Sequence, residues 1–285
     1  MVFTRLANRE LIDGDIGLNI LKEIDQKEID QLFEYQKPIT EYKHLKNLYR
    51  ITVSNGNQLQ AFLYNVYSNN QSIEHMNSEI LYLEGNRLIA NYCSFIGMYI
   101  DQIEKVLTKM SEHKLKDFRE TCNKLYDKNF EYRFFVLLRN FIMHYSLPFT
   151  RYHEDINGKK LEFSKNHLLG FSKWKHVKKE IENMDESIDI QSYITPMNAN
   201  LTVLLYDVVY QLHREILDAY KAMSDFSIKH KVRSPAIVRY NSIEELKTGN
   251  ITYTPIDFED LQLALEDVKE HPSINLNINE IKPDF

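Results

Sequence analysis

The segment from Phe130 to Tyr145 constrains the fold most, because it is apolar around almost the whole circumference of a predicted helix and stops before Pro148. A helix without a polar face cannot lie at a protein surface, so we expect it at the centre of a helical bundle. Besides Glu131 near its start, four polar side chains interrupt the apolar run and are therefore candidate functional residues: Arg133, Arg139, Asn140 and His144.

The composition supports a large helical core. Hydrophobic residues make up 43% of the 285 residues, whereas glycine occurs only 8 times. Scarce glycine favours long helices over turn-rich β architectures. The sequence contains neither a Walker-type phosphate loop nor a GxGxxG motif that follows a strand. A P-loop ATPase and a nucleotide-binding Rossmann domain are therefore excluded.

Helical spacing of apolar residues recurs along much of the chain. It predicts helices at about 72–112, 115–126, 174–184 and 196–229, with shorter helices at 40–51 and 59–66. A short helix that ends before Pro38 is predicted near the N-terminus. Between residues 149 and 164 the pattern changes to that of a β-hairpin, with its turn at 155–159. Beyond Pro235 we predict short strands at 237–240 and 251–253 and a helix at 258–269.

These elements predict a mainly α protein in three parts. Residues 71–230 would form a helical bundle with a small β-hairpin insertion. Residues 1–70 would form an N-terminal helical extension, and residues 231–285 a small mixed C-terminal appendage.

The polar residues of the central helix fall into a stripe. A helix advances by about 100° per residue, so with Arg139 at zero, Asn140 lies at about 100°, Arg133 at about 120° and His144 at about 140°. Glu131 lies on the opposite side, so no carboxylate of this helix neutralises the stripe. Because a buried arginine needs a partner, the stripe requires either carboxylates from a neighbouring element or an anionic ligand such as a phosphodiester.

The motif Arg139-Asn140-Phe141-Ile142-Met143-His144 resembles the Arg-x4-6-His signature of HEPN proteins, in which a polar residue often follows the arginine. The resemblance covers these six residues and, through the helical context, about residues 72–230. It implies a HEPN-like helical bundle and metal-independent cleavage of RNA, in which the 2′-hydroxyl of the substrate is the nucleophile. It also implies a homodimer paired through the motif helix, and a toxin or antiphage defence effector with a possible antitoxin or regulatory partner.

The resemblance assigns roles to three residues. His144 would be the general acid or base, since histidine is the side chain that titrates near neutral pH. Arg139 would hold the scissile phosphate, and Asn140 would orient His144 or the phosphate. The stripe position of Arg133 makes it a further candidate phosphate contact. The exposed-looking cluster of Lys173, Lys175, Lys178 and Lys179 offers RNA backbone contacts, with Lys175 and Lys178 as the candidates, although most such runs are solvated faces.

Other classes of site find little support. The formal net charge of −6 argues against a protein that coats duplex nucleic acid, but it is compatible with a local basic groove. Two isolated cysteines form neither a zinc cluster nor a disulfide framework, and the single Glu41-x-x-His44 pair is too little for a di-iron site. We therefore expect no metal and no cofactor. No signal peptide or membrane span is predicted, which makes a cytoplasmic location the expectation.

The sequence leaves two alternatives to a HEPN-type ribonuclease open. The first is a catalytically silent HEPN-like module that binds nucleotides or a partner protein. The second is a helical scaffold in which Arg139 and His144 are buried and paired. The second alternative requires carboxylates close to Arg139 and no cleft at His144.

Overall fold

The computed structural model describes residues 2–12, 15–68, 70–73, 75–155, 158–256 and 258–275. Over these residues the protein is mainly helical, with two small antiparallel sheets. The predicted mainly α class is therefore confirmed.

The helices and strands follow one another irregularly along the chain. The helices are α1 (Gln26–Tyr67), α2 (Ser78–Met110), α3 (Glu112–Lys128), α4 (Phe130–His144), α5 (Lys165–Leu169), α6 (Val177–Glu182), α7 (Gln191–His230), α8 (Ile243–Thr248) and α9 (Glu259–Glu270). The strands are β1 (Phe3–Ile12), β2 (Asp15–Glu23), β3 (Phe149–Asp155), β4 (Gly158–Ser164), β5 (Ser187–Ile188), β6 (Pro235–Tyr240) and β7 (Thr252–Pro255).

The chain forms two compact units, and their boundaries fall within α1 and α7. The first unit combines Met1–His44 with Val209–Phe285. Its sheet has the strand order β2-β1-β6-β7, so a strand near each end of the chain lies at the sheet centre. Leu6 of β1 pairs with Ile237 of β6, and both side chains are fully buried.

The second unit, Leu45–Val208, contains the motif helix. Helix α4 packs against α2, α3 and α6, and β3, β4 and β5 form a small antiparallel sheet in that order. Trp174 is fully buried, and its ring stacks on Phe134 and Phe141 of α4 with centroids 5.8 and 5.7 Å apart. The indole Nε1 donates a hydrogen bond of 2.6 Å to the Leu168 carbonyl. The aromatic side of α4 is thus enclosed, as its apolar sequence predicts.

The prediction of a helical N-terminal extension is wrong for its first part, since residues 3–12 and 15–23 are the paired strands β1 and β2. Their charged and apolar residues alternate without a clear period. Strand β1 is fixed by pairing with β2 on one side and with β6, more than 200 residues later, on the other. Because the two chain ends share one sheet, the two compact units differ from the three segments expected from the sequence.

The predicted breaks at Pro38 and Gly56 are also wrong, because α1 continues through both. Ile29, Leu32 and Ile39 are buried at helical spacing on both sides of Pro38, so packing maintains the helix despite the lost backbone hydrogen bond. At Gly56 a Cβ atom would come within 2.8 Å of Asn198 and Tyr92. This glycine therefore serves close packing within the helix rather than a turn.

The predicted β-hairpin is confirmed as β3 and β4, although its turn residues 156 and 157 lie outside the described part of the chain. The helix expected at 72–112 is shorter, because the Asn77 side chain caps α2 by accepting a hydrogen bond of 2.9 Å from the Ile80 amide. Strands β6 and β7 and helix α9 match the predicted C-terminal elements within a few residues, whereas α8 was not predicted.

We expect Trp174→Ala to lower the free energy of unfolding by about 3–5 kcal/mol, because it removes the largest side chain between α4 and the segment before α6. Urea denaturation followed by circular dichroism measures this, since the variant lacks the only tryptophan. Lys173→Ala, at the exposed neighbouring position, should change stability by less than about 0.5 kcal/mol. Equal effects of the two substitutions would contradict a structural role for the stack.

Candidate functional site

The motif lies at the C-terminal end of α4, where the helix emerges from its packing partners. Phe134, Leu138 and Phe141 are fully buried on one side of the helix. His144 is the last helical residue, and the following Tyr145 amide still donates a hydrogen bond of 2.9 Å to the Phe141 carbonyl. The buried apolar side holds α4 in place, so the polar side chains of the motif project from the part of the helix that is not buried.

Arg133 is paired inside the protein. Its Nε atom donates a hydrogen bond of 2.9 Å to Glu180 of α6, a second guanidinium nitrogen donates to the other oxygen of this carboxylate, and a third donates to the Tyr126 carbonyl at 3.2 Å. The carboxylate of Glu180 raises the pKa of Arg133 above its ordinary value. The charge of Arg133 is thus balanced by a carboxylate of a neighbouring helix, that of Glu180. A contact of Arg133 with phosphate, as expected from the sequence, would require this bidentate pair to break.

Arg139 lies against α2. Its Nη2 atom is 3.5 Å from the Asp101 carboxylate, in a pair whose side chains are 39% and 64% exposed. Its guanidinium passes directly over Gly97, where a Cβ atom would lie only 2.3 Å from Nε. The charge of Arg139 is therefore at the surface and only loosely compensated.

Asn140 and His144 stand one helical turn apart on α4. Asn140 is half-buried and His144 is exposed. Within the described part of the chain, neither side chain makes a hydrogen bond, and neither bonds to Arg139. The scaffold alternative requires a carboxylate near Arg139, which Asp101 provides, and no cleft at His144. The grooves that the structure describes are lined by residues other than His144, but His144 is exposed and not buried and paired as this alternative expects.

Apolar side chains surround the motif at the surface. Met143 is 61% exposed, and Tyr145 and Leu147 are about half exposed. His167 lies beside them, with its Nε2 atom 3.0 Å from the Leu147 carbonyl and its ring 5.9 Å from that of Tyr145. We call Met143, His144, Tyr145 and Leu147 the α4 exit surface.

The lysine cluster lies beside α4 without touching the motif in any contact that the structure describes. Lys175 is exposed and has a left-handed backbone with φ of 52°, an uncommon conformation for a side chain with a Cβ atom. Lys178 is exposed on α6, with its Nζ atom 3.9 Å from Glu182. Trp174 and Val177 are buried between these lysines, which anchors the segment and turns its cations towards solvent.

Sequence reasoning missed the carboxylates that face the two arginines, Asp101 and Glu180. Both come from other elements, so no local pattern on α4 reveals them. One signal was available for α2: Cys93, Gly97 and Asp101 recur at intervals of one helical turn, and a glycine inside a long helix often marks close packing.

Other kinds of site find little support among the described residues. Among the described residues, no group of three or more His, Cys, Asp or Glu side chains could hold a metal ion, and no helix is long and apolar enough to cross a membrane. A groove of about 530 Å³ lies between α1 and α7 in the first unit, lined by Glu28, Tyr35 and Asp218 among others. The motif residues do not line it.

We expect Glu180→Gln to lower the free energy of unfolding by about 1–2 kcal/mol, because it leaves the half-buried Arg133 without its charged partner. Glu182→Gln on the same helix is the control, and its long, exposed pair with Lys178 should contribute less than about 0.5 kcal/mol. Urea denaturation of both variants measures the difference. Higher affinity for RNA in Glu180→Gln without a loss of stability would instead mean that Arg133 is available to phosphates.

Comparison with known proteins gives no relative. The chain matches no protein-family model, and it shows no significant similarity to a curated protein or to a solved structure. The resemblance to HEPN proteins therefore rests on the motif of residues 139–144 and on its helical context.

Proposed function

We propose that the protein is a metal-independent endoribonuclease of HEPN type. The observation that carries this proposal is the exposure of the motif: His144 is open to solvent at the end of a helix whose other side is fully enclosed. A core histidine satisfied by the fold would be buried and hydrogen-bonded. An unpaired histidine on the same helix as a loosely compensated arginine is instead available to a substrate.

In the proposed reaction, the 2′-hydroxyl oxygen attacks the adjacent phosphorus while the bond from phosphorus to the 5′-oxygen breaks. A histidine accepts the 2′-hydroxyl proton, and a second acid donates a proton to the leaving 5′-oxygen. The products are a 2′,3′-cyclic phosphate and a 5′-hydroxyl. Arg139 stabilises the charge that develops on the phosphoryl oxygens, and Asn140 orients the phosphate or His144.

One chain supplies a single motif, so the reaction requires a second proton-transfer group. A homodimer that pairs the α4 exit surfaces would bring two His144 side chains to one phosphate. The exposed Met143, Tyr145 and Leu147 support this pairing, because apolar side chains clustered at a surface are typical of interfaces. In this proposal Lys175 and Lys178 contact the backbone of the bound RNA.

The biological setting that we propose is a toxin or an antiphage defence effector, acting in the cytoplasm and controlled by an antitoxin or another regulatory partner. The support for it is the HEPN resemblance of the motif.

A second candidate function is a catalytically silent module that binds a partner protein. The pairing of Arg139 with Asp101 favours it, because an arginine that stays paired with Asp101 leaves the exposed apolar side chains as the main feature of this surface.

The first test is cleavage of a mixed RNA pool in EDTA. We expect the wild type to cleave and to leave 2′,3′-cyclic phosphate ends, and His144→Ala to cleave about 10²- to 10⁴-fold more slowly, because general acid–base catalysis is lost. Arg139→Ala should also be impaired. His113→Ala, an exposed histidine of α3 that pairs with Asp117, is the control and should retain full activity.

Undiminished cleavage by His144→Ala and Arg139→Ala would show that the motif is structural. Absence of cleavage by the folded wild type, even with added partner candidates, would favour the silent module.

We expect Leu147→Glu to convert a dimer into monomers and to abolish cleavage, because a charge at the centre of the α4 exit surface opposes pairing of two copies. Sedimentation velocity and the RNA assay measure the two effects. Leu263→Glu on α9 is the matched control, since Leu263 is 47% exposed and Leu147 is 49% exposed. A dimer that survives Leu147→Glu would contradict pairing through this surface.

A further inference from the structure

Gly97 and Asp101 of α2 form a close-fitting site for the Arg139 side chain, which we call the Arg139 seat. An ideal Cβ atom at Gly97 would lie 2.3 Å from Nε of Arg139 and 2.5 Å from Cδ and Cζ. These distances are shorter than any real contact, so every residue except glycine would displace the guanidinium. Helical glycine costs about 1 kcal/mol relative to alanine, which makes its presence here meaningful.

The seat is polar at one end only. Asp101, one helical turn after Gly97, lies 3.5 Å from Nη2 of Arg139. Cys93, one turn before Gly97, is buried; burial raises the pKa of its thiol, and the charge of Arg139 opposes that rise. Arg139 thus packs against the uncharged backbone at Gly97, and the carboxylate of Asp101 lies at its solvent-exposed end.

The ion pair with Asp101 is easily exchanged. Its carboxylate is 64% exposed, so solvent screens the attraction, and pairs of this kind contribute little to stability. The contrast with Arg133 is informative, since that guanidinium is 15% exposed and held by both oxygens of Glu180. Of these two arginines on α4, only Arg139 keeps a guanidinium edge free for a second anion.

We propose that Gly97 and Asp101 are positioning residues that hold Arg139 in a resting state, from which a phosphodiester displaces Asp101. The planar guanidinium bonds a phosphate through two nitrogens, which a carboxylate at 3.5 Å does not match. The carboxylate then turns into solvent, and Gly97 keeps the guanidinium in place. This inference rests on the proposed function for the identity of the anion as RNA, while the seat itself does not depend on it.

The seat is tested first by a double-mutant cycle on stability. Relative to its parent, Gly97→Ala should give a lower urea midpoint in the wild-type background than in the Arg139→Ala background, because in the wild type the new methyl group displaces the Arg139 guanidinium and offsets the gain from alanine. In the Arg139→Ala background the same substitution should raise the midpoint or leave it unchanged, since alanine favours helix formation. Gly85→Ala is the matched control on α2: its Cβ would meet Leu161 at 2.5 Å, so it should be destabilising in both backgrounds.

The exchange of Asp101 is tested by binding. The probe is a short, mixed-sequence 2′-O-methyl oligonucleotide, which lacks the attacking hydroxyl and cannot be cleaved. At low salt, Asp101→Asn should bind it about two- to fivefold more tightly than the wild type, as expected for loss of an exposed competing charge. This gain should disappear in the Arg139→Ala background. Glu104→Gln is the control, because it removes a carboxylate of α2 that pairs with Arg119. Its effect on affinity for the oligonucleotide should be the same with Arg139 present or replaced by alanine.

Each result has a definite meaning. Additive effects of Gly97→Ala and Arg139→Ala on stability would overturn the positioning role of Gly97. Unchanged affinity in Asp101→Asn, or no binding by any protein, would overturn the exchange. A coupled cycle and a shifted affinity, together with intact RNA in the cleavage assay, would support the seat and overturn the proposed function alone.

Discussion

The stack of Trp174 on Phe134 and Phe141 determines how α4 presents its polar residues. The three aromatic rings are fully buried and nearly parallel, with interplanar angles of 6° and 27°. Because these rings lie on one side of the helix, rotation of α4 about its axis would expose them to water. Apolar packing therefore sets the side of α4 from which Arg133, Arg139, Asn140 and His144 project. The same tryptophan also holds the exposed lysines next to it.

Two arginines of one helix have different surroundings, and the difference follows from solvent access. Arg133 lies near the start of α4, where α6 approaches and supplies Glu180; a guanidinium that is so little exposed would be costly without this partner. Arg139 lies two turns later, where α2 offers a glycine floor and an exposed aspartate. Arg133 is thus half-buried and held in a structural ion pair, whereas Arg139 is more exposed to solvent and can be reached by a ligand.

The sequence predicted the features that depend on local periodicity. Helix α7 could be located because its apolar residues follow one period over many positions, and α4 because it is apolar almost all round and stops before Pro148. The hairpin β3–β4 could be located from the change of pattern and the turn residues between its strands. Strand β1 could not, because it lies between β2 and β6, and the residues of β6 come more than 200 positions later; β2 in turn pairs with β1. The contacts of Arg139 and Arg133 were out of reach for the same reason, since Asp101 and Glu180 belong to other helices.

Glycine illustrates the limit of local rules most directly. Gly56 and Gly97 both lie inside long helices, where propensity alone predicts a break or a loss of stability. In each case the missing side chain admits a group from elsewhere, Asn198 and Tyr92 at the first and Arg139 at the second. A glycine inside a long helix is thus a signal of close contact, but the sequence does not name the group that fills the space.

The geometry of α4 bears on how many copies of the chain the proposed reaction needs. Arg139 and His144 are about 140° apart around the helix, and Arg139 rests on α2 while His144 faces solvent. One copy therefore directs the proposed phosphate-binding group, Arg139, and the proposed proton-transfer group, His144, to different sides of the same helix. If a twofold axis passed through the α4 exit surface, the exit surfaces of the two copies would face each other. The His144 of each copy would then lie against the partner's exit surface, as in the self-complementary interface of a symmetric dimer. In such a site the two histidines exchange protons with the 2′-oxygen and the 5′-oxygen, and the arginines reach the phosphate from the flanks.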